Sequence, residues 1–177
     1  MNAPLGARAP ITLVGFMGTG KSATGRVLAE RLGRTLLDMD TEIERREGRT
    51  IPNIFRDSGE PHFRALERAL VRELAGRSDV VISAGGGIVL NPDNMADLEA
   101  AGLVVCLEAS PECILERVRH ETHRPLLQGA DRLERIRALL DTRRPMYERV
   151  RFRIHTDGQT PEQTAELVLA LRESLMP

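Results

Sequence analysis

The segment Gly15-Phe16-Met17-Gly18-Thr19-Gly20-Lys21-Ser22 has the residue types of a phosphate cradle. It satisfies G-x-x-x-x-G-K-[ST], and it stands between the apolar run Ile11-Thr12-Leu13-Val14 and a helix-like stretch from Ala23 to Leu32. In that setting the glycines let successive backbone N–H groups point inward, and the helix start adds its positive dipole end. The chemistry is binding of a nucleoside triphosphate: Gly18, Thr19, Gly20 and Ala23 surround the phosphates, Lys21 reaches the β- and γ-phosphates, and the Ser22 hydroxyl is placed to ligate Mg²⁺. Lys21 is the only lysine in the chain. A compact ammonium enters a backbone cradle where the planar fork of arginine would not fit. The plain alternative is a chance glycine turn beside an exposed lysine; pattern, context and the lone lysine all oppose it.

Other reactive groups are spaced along the chain. Asp38 and Asp40 flank the end of a short run, Thr35-Leu36-Leu37-Asp38, read as a buried strand. Asp40 is placed to cap a helix running to Glu47 before Gly48, with Asp38 either a solvated loop residue or a site carboxylate. Arg64 sits near the start of an amphipathic helix, where a cation opposes the dipole, and Glu67 three residues on can orient it. Gly85-Gly86-Gly87 follows the apolar run 79–83. Three glycines in a row are entropically expensive to order, so close approach of the backbone to a ligand is the expected reason. His120 and His123 lack further spaced ligands and read as solvated. Cys106 and Cys113 show neither ligand nor C-x-x-C spacing and read as reduced core thiols.

The elements that must position these groups alternate. Strands are expected near 11–14, 35–38, 79–83, 103–108 and 152–155, with helices between them, including a short one at 51–57, a turn at 58–61 and a longer helix at 62–75. A helix begins at Asn91-Pro92 and ends near Gly102; a long arginine-rich one spans 131–149 and is expected to be disturbed at Pro145. Alternation predicts a parallel sheet covered on both faces, with ligands at the strands' carboxyl ends. The phosphate loop, Asp38 and the glycine run then share one cleft. At 177 residues the chain reads as a single domain, 1–177, with a disordered lead over 1–10. A formal net charge of -1 gives no global field for nucleic acid or acidic membrane, and no apolar run approaches a membrane span. A soluble cytoplasmic monomer is expected.

Taken in order, these motifs resemble those of the shikimate kinases. Asp38-Met39-Asp40 is similar to the family's D-x-D, and Phe63-Arg64-x-x-Glu67 to its F-R-x-x-E. Gly85-Gly86-Gly87 matches its triple glycine, Arg124-Pro125-Leu126-Leu127 its lid motif, and Arg143-Arg144-Pro145-Met146-Tyr147 its R-x-P-x-Y. The resemblance implies a P-loop fold of the nucleoside monophosphate kinase type: a three-layer α/β sandwich on a five-stranded parallel sheet, an acceptor-binding region near 40–75 and a lid near 120–130. It implies phosphoryl transfer from MgATP to the 3-hydroxyl of shikimate. On that footing Lys21, Asp40 and Arg124 are the expected catalytic residues. Arg117 and Pro161 enclose the adenine, and Asp38 holds Mg²⁺ through water. Arg64 and Arg143 grip the acceptor's carboxylate, Gly86, Gly87 and Asp40 meet its hydroxyls, and Phe55 and Phe63 wall its ring.

Two departures stand out. Some relatives carry arginine in the turn before the last helix, where this chain has Asp157-Gly158-Gln159. Arg144 beside Arg143 leaves the carboxylate partner ambiguous by one residue, with the offset to Pro145 favouring Arg143. Two other readings compete: a gluconate-type sugar-acid kinase of the same fold, and a ligand-sensing module that has lost catalysis. Arg64 with Glu67 and the triple glycine favours shikimate over an open-chain acid.

Overall fold

The expected strand segments form five parallel strands, β1 (Ile11–Val14), β2 (Thr35–Asp38), β3 (Val80–Ser83), β4 (Leu103–Glu108) and β5 (Phe152–His155), in the order β2-β3-β1-β4-β5. This computed structural model describes residues 5–119 and 131–176. Strands β1 and β3 are buried along their whole length, as continuous apolar runs in a doubly covered sheet should be. The expected buried strand at Thr35–Asp38 is instead an edge strand with Thr35 exposed and the rest half-buried, because it pairs with β3 on one side only.

Helices α1 (Lys21–Leu32) and α7 (Pro161–Leu175) cover one face, where Leu28, Ala29, Ala165 and Val168 pack on Leu13, Val105 and Leu107. On the other face lie α2 (Met39–Glu47), α3 (Ile51–Ala75), α4 (Pro92–Ala101), α5 (Pro111–Val118) and α6 (Arg132–Tyr147). Their core includes Met39, Phe63, Leu70, Leu98, Ile114, Ile136 and Tyr147 against Val14, Ile82, Val104 and Cys106. Two cores on opposite faces make the three-layer sandwich. Among the described residues no helix is long and apolar enough to cross a membrane.

Three local findings refine the expected boundaries. The turn near 58–61 is a kink within α3, where Gly59 takes φ 81°, so two helical segments meet end to end. Pro145 lies inside α6, two residues from its end, and the helix runs on to Tyr147. The proline removes a single N–H bond in the last turn, and Glu148 N still reaches Arg144 O at 2.9 Å. Asp38, not Asp40, caps α2: its side chain accepts from Thr41 N, while Asp40 lies in the first helical turn. The helix thus begins earlier than a cap at Asp40 would need.

Register decides what gathers at the strand ends. Leu13 pairs with Ser83, and Ser83 in turn with Asp38, so β1, β3 and β2 finish at one level. Ala84 N donates to Leu13 O at 3.0 Å, which carries the pairing into the glycine run.

Candidate active site

The loop after β1 needs its glycines for two separate reasons. Gly15, Gly18 and Gly20 adopt φ of 135°, 76° and 97°, conformations that L side chains rarely take. At Gly15 and Gly18 space is also lacking: a Cβ would run into the carbonyl oxygen of Leu107 in the first case and lie 2.8 Å from Val118 Cγ1 in the second. Gly20 precedes α1 with no side-chain cap, so the helix's first N–H groups are offered to the loop. Lys21, 8% exposed, folds over this turn and donates from Nζ to Gly15 O at 2.9 Å and Phe16 O at 2.8 Å. Thr19 Oγ1 donates to Phe16 O, stiffening the curl. Ala23 is half-buried in the first turn of α1.

Beside the loop lies a small oxygen cluster. Ser22 Oγ donates to Asp38 Oδ2 at 2.6 Å and stands 3.1 Å from Ser83 Oγ. Asp38 therefore has two tasks, capping α2 and orienting Ser22. Ser83 was missed in the sequence; the signal was a polar residue closing the apolar run Val80-Val81-Ile82 at the level of Asp38. Two hydroxyls and one carboxylate, with no nitrogen or sulfur donor, suit Mg²⁺, which keeps several waters and shares phosphate oxygens. Among the described residues no group of three or more His, Cys, Asp or Glu could hold a metal by itself. The residues present thus fit a Mg²⁺ brought with a nucleotide.

The glycine run packs against side chains as well as facing the cleft. A Cβ on Gly85 would lie 2.7 Å from Asp40 Oδ1 and 3.0 Å from Glu67 Oε1, and one on Gly87 would lie 2.5 Å from Arg64 Nη1. A Cβ on Gly86 would lie 3.4 Å from Met17 N of the phosphate loop. The three glycines thus lie between the phosphate loop on one side and Asp40, Glu67 and Arg64 on the other. Arg64 donates from Nη1 to Glu67, which is 2% exposed. Burial raises the Glu67 carboxyl above its ordinary value, outweighing the nearby Arg64 guanidinium.

Arg143 and Tyr147, one turn apart on α6, both donate to Gly86 O, at 3.2 and 2.9 Å. Burial pushes the Tyr147 phenol up to about 12, so it stays a donor. Arg143 also lies over the Phe16 ring, whereas exposed Arg144 turns outward to Asp141. Of the two arginines, only Arg143 is joined to the glycine run by a hydrogen bond. Phe55 and Phe63 pack at 4.8 Å between ring centroids, and Arg64 lies over Phe63.

On the far side of the phosphate loop, Arg117 donates to Gly18 O, Thr156 Oγ1 and Thr156 O, while Thr156 Oγ1 reaches Thr19 O and Glu108 O. This clamp ties the loop to the ends of β4 and β5. Pro161 opens α7, behind a capping box of Thr160 and Gln163. In the divergent turn, Asp157 accepts from Ser110 N and Gln159 from Thr164 Oγ1, so these side chains brace the turn. Burial opposes ionisation of Asp157, but the Ser110 bonds prevail and hold it below its ordinary value. Cys106 is buried and its thiol is pushed up to about 12 by that burial; Cys113 is raised for the same reason, and both are free. Arg124, His120, His123 and the expected lid lie outside the described residues.

A family described as shikimate kinase has a sequence model that matches residues 17–172. A shikimate kinase of Thermus thermophilus is 48% identical over 160 residues, 90% of this chain and 87% of that protein. Among solved structures, a shikimate kinase from Acinetobacter baumannii in complex with shikimate superimposes with a TM-score of 0.90 at 40% identity, covering 95% of this chain and 94% of that one. A gluconokinase from Sinorhizobium meliloti, 21% identical with a TM-score of 0.60 over 95% of this chain and 93% of that one, shares the fold alone.

Proposed function

The chain belongs to the shikimate kinase family, and from that premise we propose that it transfers the γ-phosphoryl group of ATP to the 3-hydroxyl of shikimate, releasing ADP. One observation carries the assignment of residues. The segment Gly85-Gly86-Gly87 lies beside the phosphate loop at Gly86, where a Cβ would come within 3.4 Å of Met17 N, and beside Asp40 and Arg64, and it accepts a hydrogen bond from Arg143. A triphosphate end held by the loop and an acid gripped by the two arginines are thereby brought to one place. The sugar-acid alternative rests on shared fold alone.

The chemistry asks mainly for positioning and charge stabilisation. Lys21 meets the β- and γ-phosphates as a point charge. Ser22 and, through water, Asp38 would hold Mg²⁺, which when bound would supply positive charge against that of the phosphates. Arg64 and Arg143 fix the acceptor's carboxylate, Gly86 and Gly87 with Asp40 its hydroxyls, and Phe55 and Phe63 wall its ring. The 3-hydroxyl oxygen attacks the γ-phosphorus as the bond to the β-phosphate oxygen breaks, and the hydroxyl proton passes to Asp40. Arg124 adds a cation to the travelling group from the lid. Arg117 and Pro161 flank the adenine. A cytoplasmic monomer completes the reading. Phosphorus NMR of the product tests it: a new monoester resonance coupled to the proton on carbon 3 is expected, and phosphate on another carbon would refute the acceptor pose.

A further inference from the structure

All three nitrogens of the Arg64 guanidinium donate to carboxylates of its own helix. Nη1 donates to Glu67, while Nε and Nη2 both donate to a single oxygen, Glu60 Oε1, at 3.1 and 2.9 Å. An acceptor carboxylate that takes Arg64 side-on, through Nε and Nη2, must therefore displace Glu60. Glu67 is 2% exposed, packed by Gly85 and fixed by burial. Glu60 has a side chain 57% exposed and follows directly on the kink at Gly59, so its carboxylate can turn out to water at little cost.

We infer that Glu60 is an internal competitor for the acceptor's carboxylate, occupying the side-on edge of Arg64 until the acceptor arrives and setting how tightly the acceptor binds. The inference rests on the reading of Arg64 as a carboxylate partner. An internal carboxylate also screens out acceptors: a neutral polyol gains nothing by displacing Glu60, whereas an acid replaces one ion pair with another. The plain alternative is a surface pair at i,i+4 that trims helix stability only.

The test is shikimate binding to the intact enzyme, by calorimetry or by ligand-observed NMR where affinity is weak. Four proteins are compared: the parent, Glu60→Gln, Arg64→Ala and the double variant, with melting temperature and ATP binding as folding controls. Competition predicts that Glu60→Gln tightens shikimate binding about two- to five-fold, the factor for freeing one exposed ion pair. It also predicts that the gain vanishes when Arg64 is already alanine. Unchanged or weaker binding in Glu60→Gln overturns the inference, and an equal gain without Arg64 replaces competition by general charge repulsion. If Arg64→Ala itself leaves binding intact, the carboxylate reading of Arg64 falls and takes the competition with it.

Discussion

Replacing Gly87 by alanine separates the acceptor site from the fold. Gly87 has φ -101° and ψ 4°, which alanine adopts without strain, so the backbone should accept the change. The added Cβ, however, would lie 2.5 Å from Arg64 Nη1, 2.7 Å from Nη2 and 2.9 Å from Cζ, well inside van der Waals contact. The guanidinium, at the end of a flexible chain, yields first. In moving it weakens its bond to Glu67, whose buried carboxyl is already raised and rises further as its partner leaves. Losing one fork to a buried carboxylate costs about 2 to 5 kcal/mol of binding, and the lower end applies because Arg64 is displaced and not deleted. Shikimate affinity should drop about 30-fold, while ATP affinity stays near the parent's. Calorimetric titration of each ligand reads this directly. Shikimate affinity within two-fold of the parent, in a protein of unchanged melting temperature, would refute the claim that Gly87 is glycine to seat Arg64.

Lys21→Arg keeps the charge but presents a fork to two carbonyls spaced for an ammonium, so turnover at saturating ATP should drop about 10²-fold or more; near-parental turnover would show that charge alone matters. Arg143→Ala should cost acceptor binding about 2 to 5 kcal/mol, whereas Arg144→Ala, which breaks only an exposed pair with Asp141, should cost less than about 1 kcal/mol. The reverse order would move the carboxylate partner by one residue. The two aspartates should fail differently. Asp38→Asn keeps the cap on α2 and should lose activity that added Mg²⁺ partly restores, with Asp38→Ala also losing about 1 kcal/mol of stability. Asp40→Asn should lower turnover about 10²- to 10⁴-fold with no rescue by Mg²⁺, and rescue there with none at Asp38 would exchange their roles.

The sheet was legible because β1, β3 and β4 are apolar runs, β2 holds an apolar pair and β5 alternates apolar with polar residues, and alternation with helices fixes it as parallel. Less legible was anything that depends on who sits next to whom. The edge position of β2 follows from strand order, which local pattern does not carry. The cap at Asp38 turned on a boundary differing by two residues, the usual scale of such differences. Ser83 carries no motif and reaches Ser22 only through the pairing of β1 with β3. Arg143 could be preferred over Arg144 from its offset to Pro145; the shared acceptor at Gly86 O, which it takes with Tyr147, is a tertiary fact. The triple glycine was read as room for a ligand, yet at Gly85 and Gly87 the missing side chains also make room for Asp40 and Arg64.

The most direct measurement is ADP release by the purified protein, followed by a coupled assay with MgATP and, in turn, shikimate, quinate, gluconate or no acceptor. Release that is fast with shikimate and near the acceptor-free background with quinate and gluconate is the expected result. Equal or faster release with gluconate, or release indifferent to the acceptor, would contradict the assignment of Asp40, Arg64 and Arg143 to shikimate.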